Sequence, residues 1–352
     1  MFNEKKKAYL MLENGTVYEG YSFGVPGTAF GEAVFNTSMV GYLEAVTNPN
    51  FCNKLVVWAF PNAGNYGVNI EDAESENITA SALVVRECCE IPSNFRNEIT
   101  LDEFMMKNNL VGIEGIDTRS LVRLIRDEGV MKAVVTTEDV NADIDGWKKK
   151  IADYKLKNST EYLSTNEVVS AKADDEKYNV AVVDFGLKKS IKNALLDNGC
   201  SLTIFPSTAK ADEIKAISPD GIVLSNGTAN PDDCAVQVEL IKEICRMNIP
   251  VFAIDLGHEL LAVANGGTVE KLKYGHRGSN HPVINTKTGT TTITEQAQGY
   301  VVKDIPSNAE KIYENNNDKT CAGIEYKDIP AFSVQFSPRQ KIYDKFISMM
   351  NK

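Results

Sequence analysis

The stretch Pro250–Gly267, PVFAIDLGHELLAVANGG, decides how the rest of the chain is read. Val251–Ile254 is a four-residue apolar run bounded by Pro250, which suits a strand buried on both faces. Asp255-Leu256-Gly257 then turns the chain, and His258–Ala264 carries apolar residues at helical spacing until Asn265-Gly266-Gly267 stops it. Strand, sharp turn and helix make the shape of a nucleophile elbow, a device that lifts one side chain above the carboxyl edge of a sheet. The side chain lifted here is that of Asp255.

Around the elbow the pattern is regular. Val180–Val183, Leu202–Phe205 and Ile222–Leu224 read as strands, and Lys188–Leu196, Ala211–Ile217 and Asp232–Met247 as helices. Repeated βα units imply an α/β domain, residues 178–352, with a doubly wound, mostly parallel sheet. Ligands of such sheets bind beyond the carboxyl ends of the strands. Those ends are Asp184-Phe185-Gly186, Ser225–Asn230 and Asp255–Gly257. Thr290–Thr294, Tyr300–Val302 and Ala331–Phe336 read as added strands, closed by a helix over Lys341–Met349.

Upstream, Tyr9–Phe23 alternates across an Asn14-Gly15 turn, a hairpin signal, and Gly31–Glu44 and Leu55–Phe60 continue a strand-rich region. Leu101–Asn108 is predicted helical. A second helix, capped by Asp117 or Thr118 and closed by Gly129, turns Leu121, Leu124 and Ile125 inward. Residues 1–147 thus read as a mixed α+β domain. Residues 148–177, rich in Lys, Asp, Glu, Ser and Asn, read as a linker with one helix.

The bulk numbers narrow the function. With 352 residues, 43% of them hydrophobic, the chain has the substance for two cores. A net charge of −11 argues against nucleic acid or an anionic membrane as partner. No apolar run approaches the ~20 residues of a membrane span, and the start, MFNEKKKAYL, has no apolar core like a signal peptide's. A cytoplasmic protein is expected. The seven cysteines are scattered without metal-ligand spacing and read as reduced thiols. The three histidines are His258, His276 and His281, and none follows. Asp184-Phe185-Gly186 stands without the other motifs of a kinase, so it reads as a strand-end turn.

Taken together, the motifs resemble one family over essentially the whole chain: the small subunit of carbamoyl phosphate synthetase. Phe35–Glu44 (FNTSMVGYLE), Gly64–Asn69 (GNYGVN), Pro92–Arg96 (PSNFR) and Gly115–Gly129 (GIDTRSLVRLIRDEG) resemble its amino-terminal domain. Val182–Lys188 (VVDFGLK), Pro219–Gly227 (PDGIVLSNG) and Tyr274–Val283 (YGHRGSNHPV) resemble its carboxyl-terminal domain, which is of the class I glutamine amidotransferase type. The resemblance implies a large synthetase subunit as partner, to which the small subunit passes ammonia cut from glutamine. It also implies that ATP and Mg belong to that partner, with no cofactor in this chain. Carbamoyl phosphate serves arginine or pyrimidine synthesis, and the residues do not choose between them.

Glutamine hydrolysis of this type needs a thiolate, an imidazole and a carboxylate that holds it. The family's C-L-G-H-Q at the elbow is here Asp255-Leu256-Gly257-His258-Glu259, and its Q-F-H-P-E is Gln335-Phe336-Ser337-Pro338-Arg339. The degenerate triad positions are therefore Asp255, Ser337 and Arg339. The pocket has drifted as well: G-P-G-D-P is Gly227-Thr228-Ala229-Asn230-Pro231, and Q-N-H-G is Gln296-Ala297-Gln298-Gly299. Glu259 replaces a glutamine, and its charge opposes a substrate carboxylate, while Ser38 keeps the family's glutamine-contacting serine. As remnants of the pocket we count Ser38, Gly227, Ala229, Leu256, Glu259, Ala297, Gln298 and Gly299.

Asp255 at a helix start is expected to cap free N–H groups, and Arg339 to form an ion pair with Asp255, Glu259 or both. The leading expectation is a glutaminase-silent small subunit that supports ammonia-dependent synthesis. Two alternatives stay open: an active glutamine-hydrolysing subunit with unorthodox residues, and a stand-alone small-molecule-binding pseudoenzyme.

Overall fold

The hairpin across Asn14-Gly15 opens a barrel. In the computed structural model, which describes residues 5–156 and 159–351, β1 (Lys7–Leu12) and β2 (Val17–Gly24) pair antiparallel, with Tyr9 opposite Glu19. They are joined by β3 (Thr28–Asn36), β4 (Lys54–Trp58), β5 (Ala82–Val84), β6 (Val111–Glu114) and β7 (Met131–Thr136). The strands close in the order β1-β2-β6-β5-β4-β3-β7, so this sheet has no free edge. The barrel is filled by Leu10, Leu12, Ala33, Leu55, Val57, Val84, Ile113 and Val135.

Helices α1 (Leu101–Lys107) and α2 (Thr118–Glu128) follow the sequence signals closely. Thr100 and Glu103 form a capping box at α1. Asp117 caps α2, accepting from the Ser120 N–H, and Gly129 ends it at φ 104°. A third helix, α3 (Ile144–Asp153), packs Trp147 and Ile151 against Tyr9, Met11 and Val134.

The segment 148–177, expected as a linker, differs from that reading. The chain divides into compact units at residues 1–157 and 158–352, and the segment is shared between them. The end of α3 belongs to the first unit, where Lys132 Nζ donates to the carbonyls of Ala152 and Tyr154 and Phe30 stacks on Tyr154. The second unit takes α4 (Ser159–Leu163) and β8 (Val169–Ala171). Residues 157 and 158, inside the expected linker, lie outside the described residues, as do residues 1–4 of the apparent start and 352. The composition misled because two aromatic or branched anchors, Trp147 and Ile151, suffice to seat a helix whose other faces are charged.

In the second unit the chain continues through β9 (Tyr178–Phe185), α5 (Lys189–Asp197), β10 (Cys200–Pro206), α6 (Ala211–Ala216), β11 (Gly221–Gly227) and α7 (Ala235–Arg246). The elbow follows as β12 (Val251–Ile254) and α8 (Leu256–Ala264). Then come β13 (Thr268–Asn285), β14 (Thr291–Asp304), β15 (Ala309–Asn315), β16 (Cys321–Tyr326), β17 (Ala331–Val334) and α9 (Gln340–Met350).

They form one ten-stranded sheet in the order β8-β10-β9-β11-β12-β17-β16-β15-β13-β14. The block β10-β9-β11-β12-β17 is parallel and its flanks antiparallel. Each face carries a core: Val183, Leu224, Ile241, Ala253 and Leu260 on one, Val182, Val223, Phe252, Phe332 and Phe346 on the other. The expected α/β class with a doubly wound sheet is therefore the one observed, parallel in its central block, which holds four of the nine pairings. Thr290–Thr294 and Tyr300–Val302, expected as two strands, are one. The link between them is polar yet buried: Gln298 Nε2 donates to Gln296 Oε1 at 3.1 Å, while Gln298 Oε1 has no hydrogen-bond partner among the described residues. Among the described residues no helix is long and apolar enough to cross a membrane.

Candidate active site, a rebuilt elbow

The elbow has the geometry its sequence implied. Asp255 sits at φ 48°, ψ −111°, a backbone conformation uncommon for a side chain other than glycine. Two backbone hydrogen bonds hold it there: its N–H donates to the Val334 carbonyl and its carbonyl accepts from the Glu259 N–H, both at 3.0 Å. Helix α8 also lies so close on β11 that a Cβ at Gly257 would stand 2.5 Å from the Leu224 carbonyl oxygen. Backbone pairing and one glycine thus build the turn, independently of what the side chain at 255 is.

Asp255 does not cap α8; its side chain makes no cap hydrogen bond to that helix. An N-cap presents its oxygen to the second or third N–H from the extended region of backbone space, and φ 48° is not in it.

Glu259, one turn along, is buried with Asp255. Gln335 Nε2 donates to Glu259 Oε1 at 3.1 Å. Burial first, and the Asp255 charge second, push the Glu259 carboxyl up to about 8 against the opposing pull of Gln335. At neutral pH Glu259 is therefore mostly a neutral acid, and the charge expected to repel a substrate carboxylate is largely gone.

The expected ion pair of Arg339 with the two acids is not formed. Arg339 follows Pro338, is exposed at the start of α9, and lines a different cavity with Thr292, Phe336 and Ile342. The cation of the old base position is instead Lys188. Its side chain is only 3% exposed, with Nζ 3.4 Å from Ser337 Oγ and 3.7 Å from Glu295 Oε1. The Ser337 N–H donates to the Glu295 carbonyl, tying this strand end to β14. Sequence reading passed over Lys188 because a lysine opening a helix reads as a solvated charge; its place four residues past Asp184, at a strand's carboxyl end, was the signal available.

The other remnants divide. Gly227 ends β11 against β9, where a Cβ would stand 2.3 Å from the Phe185 carbonyl oxygen, and Ala229 packs on the core beside it. Leu256 is buried in the same core. Ala297 and Gln298 lie buried on β14 opposite Arg277 and His276, and Gln298 Nε2 reaches Gln296 Oε1 rather than the elbow. At Gly299 a Cβ would meet the Arg277 guanidinium at 3.1 Å. Ser38 belongs to the first unit, where it is buried and its N–H donates to Asn36 Oδ1 at 2.8 Å. Asp184 is a turn former, its Oδ1 accepting from the N–H groups of Gly186 and Leu187.

His258 is fully buried, its Nδ1 2.7 Å from Ser333 Oγ, and burial lowers its pKa to about 3. His276 Nε2 lies 2.7 Å from Asp318 Oδ2, and burial with the neighbouring His276 lowers His281 to about 4. Cys234 comes within electrostatic reach of Glu259, but burial, reinforced by that acid, pushes its thiol up to about 12. A thiol so placed stays protonated and unreactive.

A doubly wound sheet with this elbow at its carboxyl edge defines the class I glutamine amidotransferase type, and the family model "Glutamine amidotransferase class-I" matches residues 181–342. The model "Carbamoyl-phosphate synthase small chain, CPSase domain" matches residues 10–135. The carbamoyl phosphate synthase small chain of Clostridium perfringens is 40% identical over 349 residues, 97% of this chain and 99% of that one. The carbamoyl phosphate synthase pyrimidine-specific small chain of Bacillus subtilis is 38% identical over 354 residues, 98% of this chain and 96% of that one. The carbamoyl phosphate synthase small chain of Chlorobaculum tepidum is 41% identical over 337 residues, 94% of this chain and 92% of that one. The chain belongs to the carbamoyl phosphate synthase small-chain family.

Proposed function

We propose that this chain is a carbamoyl phosphate synthase small subunit that has lost glutamine hydrolysis and supports ammonia-dependent synthesis by a large subunit, with ATP and Mg handled there. One observation carries the reading: the elbow presents a carboxylate, and the side chains around it are a buried amide, a buried neutral acid, a half-buried hydroxyl and a buried ammonium. An amide carbonyl needs a strong nucleophile and a base to take its proton. A carboxylate of ordinary pKa ~3.9 is a poor nucleophile toward an amide. Lys188, close to Ser337 and Glu295, supplies positive charge at the old base position, which opposes rather than accepts a proton. The relatives' printed names supply the partner: small chains imply a large one.

The test uses the purified full chain with a large synthase subunit. Carbamoyl phosphate is expected from ammonium and not from glutamine, with Asp255→Ala leaving the ammonium rate intact. Glutamine-driven turnover that Asp255→Ala abolishes would overturn the proposal.

A further inference from the structure

The second unit holds a cavity of about 550 Å³, bounded by the ends of β13 and β14, by β15 and by the start of α9. That volume is in the ~300–1,000 Å³ range of small-molecule sites. Its lining is sorted by chemistry. Val283, Phe336 and Ile342 form an apolar floor, with the Tyr313 ring meeting Phe336 edge-on at 5.5 Å. Thr288, Thr290 and Thr292 line it from the hairpin side, and no aspartate or glutamate does. Its charged liners are Arg339 and Lys341, and neither forms an ion pair among the described residues. The first turn of α9 adds to the positive side, having no side-chain cap.

We infer that this cavity is a binding site for a small organic anion, one with a carboxylate or phosphate head against Arg339 and Lys341 and an apolar body on the Phe336 floor. An inorganic anion alone would leave the floor uncovered, and a neutral hydrocarbon would leave two cations bare, so the lining selects a molecule with both parts. A guanidinium suits such a head because its fork of N–H donors matches carboxylate and phosphate oxygens. The substitution that removed the family's orienting acid has thus given a cation to a neighbouring cavity. The inference stands apart from the question of glutamine hydrolysis, since none of these residues is at the elbow.

The experiment is isothermal titration of the full chain with phenyl phosphate and phenylacetate, against benzyl alcohol and inorganic phosphate. At least one aromatic anion is expected to bind more tightly than both controls. Arg339→Gln, at an exposed position, should weaken that anion about tenfold or more while leaving benzyl alcohol unchanged. Thr292→Trp, which fills the cavity from the edge strand β14, should abolish binding while circular dichroism shows the fold retained. Equal binding of benzyl alcohol and the anions, no binding of either anion at millimolar concentration, or an unaltered affinity in Arg339→Gln would each overturn the inference.

Discussion

Glu259→Gln should stabilise the protein, by an amount that grows with pH. The Glu259 carboxyl titrates near 4.5 when unfolded and at about 8 in the folded chain, where burial and Asp255 disfavour its charge. Between those values the folded state binds the proton and the unfolded state does not, so stability falls as pH rises. Each pH unit in that window costs about 1.4 kcal/mol. The deficit is small at pH 5.5, on the order of 3 kcal/mol at pH 7 and on the order of 5 at pH 9, where it levels off. Glutamine has the same shape, carries no charge, and keeps an oxygen to accept from Gln335 Nε2. The variant should recover the deficit, an increase in melting temperature of about 6–12 °C at pH 7 for a unit of this size. Urea denaturation of both proteins from pH 5.5 to 9 measures the gap directly. A gap that stays flat across that range, or a variant less stable than the parent at pH 8, would refute the account of Glu259 as a buried acid held neutral.

Gly257→Ala should cost about 2–3 kcal/mol or more, because the new methyl meets the Leu224 carbonyl at 2.5 Å and backbone cannot yield as a side chain does; a lowered urea midpoint with an unchanged slope checks it. Ile151→Ala should destabilise the first unit by about 2–4 kcal/mol, as expected of a core position and not of a linker, and thermal unfolding of the full chain followed by Trp147 fluorescence reads it. Asp255→Cys restores a thiol at the elbow but should release no ammonia from glutamine above the blank, because Ser337 and Lys188 still hold the base position; measurable turnover in this single variant would mean that another base serves.

How far the sequence carried depended on what kind of interaction decided each feature. Periodic apolar runs with caps and glycines were legible: α1 with its Thr100–Glu103 box, α2 between Asp117 and Gly129, the hairpin, and the βα units leading to Asp255. Side chains placed by long-range packing were not. Arg339 was expected in the elbow cavity because its position in the motif lies there, but Pro338 and the start of α9 carry it to the next cavity. Gln335 stands in the sequence only as the head of a motif, yet it is the hydrogen-bond partner of Glu259. Lys188 looked like surface charge and is nearly fully buried. In each case the residue's surroundings come from elements distant in sequence, and spacing along the chain does not report them.

A residue other than glycine at φ 48° costs on the order of 1–3 kcal/mol, and such strain is usually kept where a nucleophile must be exposed. Asp255 keeps it with a carboxylate in that place. The reason lies in the sheet: relaxing the turn would break the Asp255 N–H bond to Val334, which ties β12 to β17, and lift α8 from its contact with β11 at Gly257. Those contacts sit in the middle of the ten-stranded sheet and adjoin a large core of the unit, so the local cost is offset by packing. Strain at this elbow is therefore held by the packing around it, and its presence is no argument for turnover. What the elbow can do is set by the side chains around it: Glu259, held by Gln335 and mostly neutral at pH 7, and Lys188, close to Ser337 and Glu295.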